Sequence, residues 1–403
     1  MKRNLILISA LLLAVFLSCK EELTDPVTPK PVGWQEDIPW PSLAASPWPM
    51  LNHDPQTTGR GNSTANIGQI KWEFNFTEIG EDLVSGVVVG ADSSIYFLTE
   101  MFVTSGLYCL DHSGNQKWKV ELGGGVHRFT TPIITADNNI LVLDYTTLKC
   151  FNAFGESVWA YSFGQTFFWI ESPQIDKSGN IYLIDSGQNL YKISSSGILL
   201  WQLNDQKFRT TGGTYGMAFS PDGKTLYVPG SIVSLLAIDI ETTSKKWDYG
   251  QQSMSTSPIL DSKGNIYCQL DDRVVSLKPD GSLRWQYIYN NFTVNDNKPT
   301  IDKNGNIYFM TEDSLYSLDY NGLIRWGEIT PGFSDSPLIC DENGNIYAGF
   351  NNGNISFVKF SNTGLILWEN ILNASQSQLY TSAVISYANT IIFPTEKKLY
   401  AIK

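Results

Sequence analysis

Side chains able to act as nucleophile, general base or metal ligand are few in this chain, and none falls into a recognised spacing. The three histidines, His53, His112 and His127, stand far apart, without the His-Glu-x-x-His pattern or the clustering that a zinc site needs. There is no Gly-x-Ser-x-Gly elbow, and Gly123-Gly124-Gly125 reads as a flexible loop rather than a phosphate cradle. None of the five cysteines, Cys19, Cys109, Cys150, Cys268 and Cys340, forms a Cys-x-x-Cys pair. Cys109 and Cys150 occupy the same place in successive repeats, either as a disulfide between neighbouring units or as two small buried hydrophobes. Asp302 to Asn306, with the pattern Asp-x-Asn-Gly-Asn, suits a calcium loop or plain turn chemistry. It lacks the glycine after the third ligand and the distant glutamate of an EF-hand, and its recurrence along the chain favours the turn.

The residues that could bind a partner lie between repeated units. Phe167, Phe168 and Trp169 stand beside Glu171, and Trp169 belongs to no repeat position. His127 and Arg128 lie in a second such segment, Arg209 and Tyr215 in a third, Tyr289 in a fourth and Asp335 in a fifth. Aromatic rings beside polar groups suit a glycan or a peptide. Glu171 and Asp335 align on the same step of the repeat and are the acid–base candidates for a polysaccharide-active enzyme. Acids so placed also serve simply as solvated charge. No catalytic, cofactor-binding or metal-ligating residue is assigned.

The repeat that must position these residues is explicit. Trp72, Trp118, Trp159, Trp201, Trp247, Trp285, Trp326 and Trp368 recur every 38 to 46 residues, the length of a four-stranded propeller blade. Four units share one phrase: Ser172-Pro173 to Ile181-Tyr182, Ser257-Pro258 to Ile266-Tyr267, Lys298-Pro299 to Ile307-Tyr308, and Ser336-Pro337 to Ile346-Tyr347. An apolar run, a turn containing glycine, then Ile-Tyr predicts strand, hairpin, strand. A third strand and a tryptophan-bearing fourth strand follow. After Trp368 only three strands remain, about Ser382 to Tyr387, Thr390 to Thr395 and Leu399 to Ile402. The fourth is available around Ile70 to Phe74. The prediction is an all-β, eight-bladed propeller closed by an N-terminal strand, which removes two exposed sheet edges. In such a ring Glu171 and Asp335 enter opposite blades, which holds the two carboxylates too far apart for paired glycosidase work. A tryptophan at one fixed position in every blade reads as an inter-blade packing residue, with at most about 5 kcal/mol of stabilisation each if fully buried.

Ala237, Asp239, Thr242 and Trp247 match the blade-docking motif Ala-x-Asp-x-x-Thr-Gly-x-x-x-Trp, with Thr243 in place of glycine. On these residues the chain resembles the PQQ-like propeller repeat family over about residues 46 to 403. The stretch from Trp48-Pro49-Met50 through Thr58-Gly59 resembles the opening segment of that family. The resemblance implies the fold and is poor for function. Quinone-dependent dehydrogenases of this fold carry adjacent cysteines and a calcium-binding carboxylate and amide set, and adjacent cysteines are absent here. That activity is the more distant alternative, so no cofactor is expected. Lipoproteins that assist outer-membrane protein assembly are similar in fold, size and anchor.

The anchor is spelled at the start of the chain. Lys2 and Arg3 precede an apolar run from Leu5 to Leu17, too short for a comfortable membrane span and suited to a secretory signal. Leu17-Ser18-Cys19 resembles the lipobox of bacterial lipoproteins, although Phe16 is bulky for that pattern. Residues 1–18 are therefore read as signal peptide, 19–47 as a lipidated Cys19 with a proline-rich, semi-stiff tether, and 48–403 as the propeller. Lys20-Glu21-Glu22 look like a surface-export signal, and a periplasmic orientation is the alternative. A net charge of −12 argues against nucleic acid, which needs a basic face. The expectation is a non-enzymatic envelope lipoprotein, attached to the membrane only by its lipid, whose propeller is a rigid scaffold for a protein or glycan partner.

Overall fold

The computed structural model describes residues 29–76, 80–101, 104–123, 130–144, 146–164, 172–208, 216–252, 254, 256–289, 298–334, 336–372 and 382–403. The signal segment, Cys19 and Lys20-Glu21-Glu22 lie outside them. Eight antiparallel sheets account for the strands of the body, which extends from Val32 to Lys403. In seven of the sheets the strands follow chain order from the inside out. Blade 3, for example, runs Gln174–Ile175, Ile181–Ile184, Asn189–Ile193 and Leu199–Asn204. Blade 1 has two short inner pieces, Asp82–Leu83 and Val88–Val89, both paired with Ile95–Met101. Blade 8 combines Val384–Ser386, Thr390–Pro394 and Lys398–Ile402 with Ile70–Asn75, so the chain's first long strand completes its last sheet. The predicted eight-bladed, all-β ring and its closure are what the structure shows.

Sequence pattern explains the layering. Inner and second strands are short apolar runs buried throughout, as in Ile181–Ile184. Outer strands alternate between exposed and half-buried positions, as in Leu199–Asn204, because only one face meets the next blade. The eight tryptophans are therefore half-buried, not fully buried as the upper figure of about 5 kcal/mol assumed. Six donate their indole N–H to a carbonyl in the next blade's last turn. Trp118 bonds Ala153 O at 3.1 Å, and Trp285 bonds Tyr320 O at 3.1 Å. Their rings lie on that turn's glycine: a methyl added to Gly322 would stand 2.5 Å from Trp285 Cδ2, and one added to Gly155 would stand 3.2 Å from Trp118 Cδ2. These glycines also hold positive φ, 82° in both, so a side chain there is disfavoured on two counts. Blade 4 carries Thr243 there, at φ 55°.

The Asp-x-x-Gly-Asn hairpins have a second function that the sequence does not announce. Asp302 Oδ1 accepts from the amides of Asn304 and Asn306, both at 2.9 Å, and Oδ2 accepts from Asn306 Nδ2 at 2.7 Å and the Tyr308 hydroxyl at 2.8 Å. The carboxylate closes its own turn and holds the tyrosine of Ile-Tyr, which accounts for the motif as turn chemistry. Asp176–Tyr182, Asp261–Tyr267 and Asp341–Tyr347 repeat the pairing. Burial and the adjacent aspartate raise the pKa of each of these phenols.

Candidate functional site

Because neighbouring strands are antiparallel, the hairpins after each inner strand share one face of the ring with the turns before each outer strand. The inter-blade segments share the other face. His127, Arg128, Trp169, Glu171, Arg209, Tyr215 and Asp335 all fall in inter-blade segments and lie outside the described residues. Tyr289 is described and is not on a surface: it is buried, its hydroxyl donates to Leu270 O, and its ring packs on Phe309 at 5.5 Å. Its place just beyond the outer strand of blade 5 makes it a filler between blades, because the next blade's second strand presents Phe309 to it. Cys109 and Cys150 are free, as are Cys268 and Cys340, and all four are buried. Burial pushes the Cys109 and Cys150 thiols up to about 11.

The hairpin face holds a feature that sequence reading assigned elsewhere. Residues 32–47 are not a free tether: with residues 48–67 they form a strap across the inner strands. Trp40, Leu43, Trp48 and Met50 are buried. The strap first descends through the ring. Gln35 N bonds Lys303 O in blade 6, Trp40 Nε1 bonds Ile175 O in blade 3, Ala44 N bonds Ile134 O in blade 2, and Val89 N of blade 1 bonds Trp48 O. It then reverses at Asn52 and His53, whose φ values of 52° and 77° mark the turn. The return pass gives Pro55 O to Phe219 N in blade 4, Gln56 O to Leu260 N in blade 5, Thr58 O to Ile301 N in blade 6, and Gly59 O to Cys340 N in blade 7. Ser63 Oγ donates to Ser386 O in blade 8. Every blade is thus bonded to the strap. A proline-rich composition specifies extended chain, and extended chain serves a solvated spacer and a docked strap equally well. The buried aromatic and aliphatic side chains among the prolines were the available signal.

Where the two passes overlie blades 5 and 6 they enclose a polar cavity of about 120 Å³ lined by Gln35, Asp37, His53, Asp54 and Arg60. Arg60 Nη2 and Lys303 Nζ meet Asp37 Oδ1 at 3.4 and 2.6 Å. Burial acts to raise the Asp37 pKa, but Lys303, Arg60 and His53 together hold it below the ordinary carboxylate value. Asp54 is treated likewise: against its burial, His53 Nδ1 at 3.2 Å and the Thr58 amide and hydroxyl keep its pKa low. At the far end of the strap the buried Lys359 ammonium donates to Thr64 Oγ1 and Ala65 O, both at 2.8 Å, and pairs with Asp341 at 3.3 Å. Burial is the largest influence on that lysine and lowers its pKa.

A closed ring of eight four-stranded blades, docked by tryptophans on turn glycines, defines a PQQ-like β-propeller repeat protein. The model of the PQQ_2 family, described as outer membrane protein assembly factor BamB, matches residues 64–265, and the chain belongs to that family. No curated protein matches its sequence. Among solved structures it is similar to a quinohemoprotein alcohol dehydrogenase from Comamonas testosteroni, with TM-score 0.71, 12% identity, and 88% of this chain and 80% of that chain covered. A europium-containing methanol dehydrogenase gives TM-score 0.68 and 11% identity, over 89% of this chain and 98% of that one. BamB from Moraxella catarrhalis gives TM-score 0.63 and 11% identity, over 84% of this chain and all (100%) of that one. These likenesses are of fold alone. Among the described residues no three His, Cys, Asp or Glu side chains converge as a metal set would require. The four described cysteines are not adjacent in sequence.

Proposed function

We propose that this protein is a non-enzymatic scaffold of the outer envelope, anchored through a lipidated Cys19, that binds a protein or glycan partner on the inter-blade face of its ring. The strap carries this reading. It ties the inner strands of all eight blades together across the hairpin face, making a rigid frame whose outer strands end on the opposite face. Scaffolds of this kind recognise partners through loops held by a stiff body. His127, Arg128, Trp169, Glu171, Arg209, Tyr215 and Asp335 are the residues offered there. Membership of a family described as an outer-membrane assembly factor supports an envelope role. Lys20-Glu21-Glu22 support display on the cell surface. The strap begins at about Val32, which leaves residues 19–31 as the tether, at most about 45 Å when fully extended. Protease treatment of intact cells tests the placement. Cleavage between Cys19 and Val32 should release the propeller from whole cells. Complete protection until the outer membrane is breached would place it in the periplasm instead and direct the partner search to membrane-assembly proteins.

A further inference from the structure

The face on which the strap begins carries a band of exposed apolar side chains. Val32, itself exposed, gives its carbonyl to Lys263 Nζ at 2.6 Å in the inner hairpin of blade 5. Gly33 is packed on blade 6, where an added methyl would stand 2.3 Å from Asn304 O and 2.7 Å from Tyr320 Cβ. Tyr320 lies in the turn before that blade's outer strand, so the chain leaves the body at the hairpin face. At the same step, in or just after the turn before the outer strand, stand Phe154 in blade 2, Ile198 in blade 3, Leu283 in blade 5, Leu323 in blade 6 and Leu365 in blade 7. Ile70 opens the outer strand of blade 8. These six side chains are 41% to 80% exposed. Among the described residues, blades 1 and 4 have no exposed apolar side chain at this step. Turn positions are ordinarily polar. Single apolar residues occur on any surface, but recurrence at one level around the ring makes a band. Blades 5 to 8 supply four of the six in an unbroken arc, and the chain departs within that arc.

We propose that the hairpin face docks on a lipid bilayer of low surface charge, with these six side chains entering its interfacial layer. The choice of occupant rests on the reading of Cys19 as the lipidated residue. Residues 19–31 span at most about 45 Å, and they join the body on this face, so the lipid brings this face to the membrane first. Tethering raises the local concentration of lipid, and a contact that is weak alone becomes populated. Charge selects a zwitterionic surface, because the chain carries −12 and Glu156 is exposed beside Phe154. Asp280 and Asp319 turn a carboxylate oxygen to the amides of their own turns, at 2.9 to 3.0 Å. Docking in this way directs the inter-blade face outward, towards the partner assigned to it. Without the lipid the contact is too weak to retain the body, so release by cleavage of the tether is still expected.

Flotation with phosphatidylcholine vesicles tests the face by itself, using the chain from residue 19 with Cys19→Ser so that no acyl chain contributes. Half-binding is expected at about 0.1–1 mM lipid, at or below the affinity of a single myristoyl chain. It should persist in about 1 M salt, where interactions between exposed charges are screened. Leu323→Ser and Leu365→Ser should each weaken binding about fivefold. Ile329→Ser should leave it within about twofold. Ile329 is 82% exposed but lies at the far end of the strand that Leu323 opens, about 20 Å away. No binding up to about 5 mM lipid, loss of binding in salt, or equal effects of Leu323→Ser and Ile329→Ser would each overturn the proposal. Mass spectrometry of the native protein reads the lipid on Cys19 separately, so an unmodified Cys19 refutes the anchor while the vesicle result still decides the docking face.

Discussion

Seven of the eight repeat indoles, all but Trp201, lie against a glycine, and the importance of that contact to the ring can be measured at Trp285 and Gly322. Trp285 is half-buried and donates to Tyr320 O at 3.1 Å. Trp285→Ala should cost about 3 kcal/mol, the low end for a large aromatic because part of the ring is already solvated. Gly322→Ala incurs two separate penalties. Its φ of 82° costs an L-residue about 1 kcal/mol. Its new methyl would sit 2.5 Å from Trp285 Cδ2, an overpacking worth a further 1–3 kcal/mol or so. In the double variant the methyl meets no indole, so only the φ penalty remains. The double variant should therefore be more stable than the sum of the single changes implies, by about 1–3 kcal/mol. Gly164→Ala supplies the control, because Gly164 has φ 67° and nothing within 4 Å of an added methyl; it should cost about 1 kcal/mol. Equilibrium urea unfolding, with reversibility checked, gives all four values. Additivity to within about 0.5 kcal/mol, or equal costs for Gly322→Ala and Gly164→Ala, would refute indole-on-glycine docking as the link between blades.

Two further outcomes follow from the strap and the buried phenols. A chain beginning at Val32 should melt as the longer protein does. One beginning at Asn66 loses buried Trp40, Leu43, Trp48 and Met50 and should be destabilised by at least about 5 kcal/mol, at roughly 1.5–3 kcal/mol per side chain; equal melting temperatures would show the strap to be passive. Tyr308 has its folded pKa raised by burial and by Asp302, so its contribution is complete below the unfolded value near 10 and declines as pH rises above it. Stability should therefore fall between pH 10 and 11 by about 1 kcal/mol per such tyrosine, steepening towards about 1.4 kcal/mol per pH unit above that. Tyr308→Phe should remove one tyrosine's share of that slope, and an unchanged slope would mean that the phenol is not held neutral by the fold.

The residues that act locally made the architecture legible. A tryptophan period near 42 residues, four copies of the Asp-x-x-Gly-Asn–Ile-Tyr hairpin and a lone strand at Ile70–Asn75 specify blade length, strand order and closure, because hairpins and strand alternation are short-range properties. The structure alone decided which groups meet across the ring. It pairs the turn aspartates with tyrosines six residues on, an arrangement that also serves Arg325, whose Nη1 donates to the Tyr308 hydroxyl at 3.2 Å. It buries Tyr289 although its sequence neighbours read as a surface loop. It turns Pro39, Trp40 and Leu43 from tether into strap, because a docked extended segment satisfies its backbone against blades far along the chain, as Ser42 and Ala44 do at Ala136 and Ile134. No local pattern encodes such partners. Composition and period determined that this chain makes a propeller and how many blades it has. Only long-range closure decided that the chain's own N-terminal segment lies across the hairpin face, and that Arg60 comes to be buried there with one nitrogen unpaired.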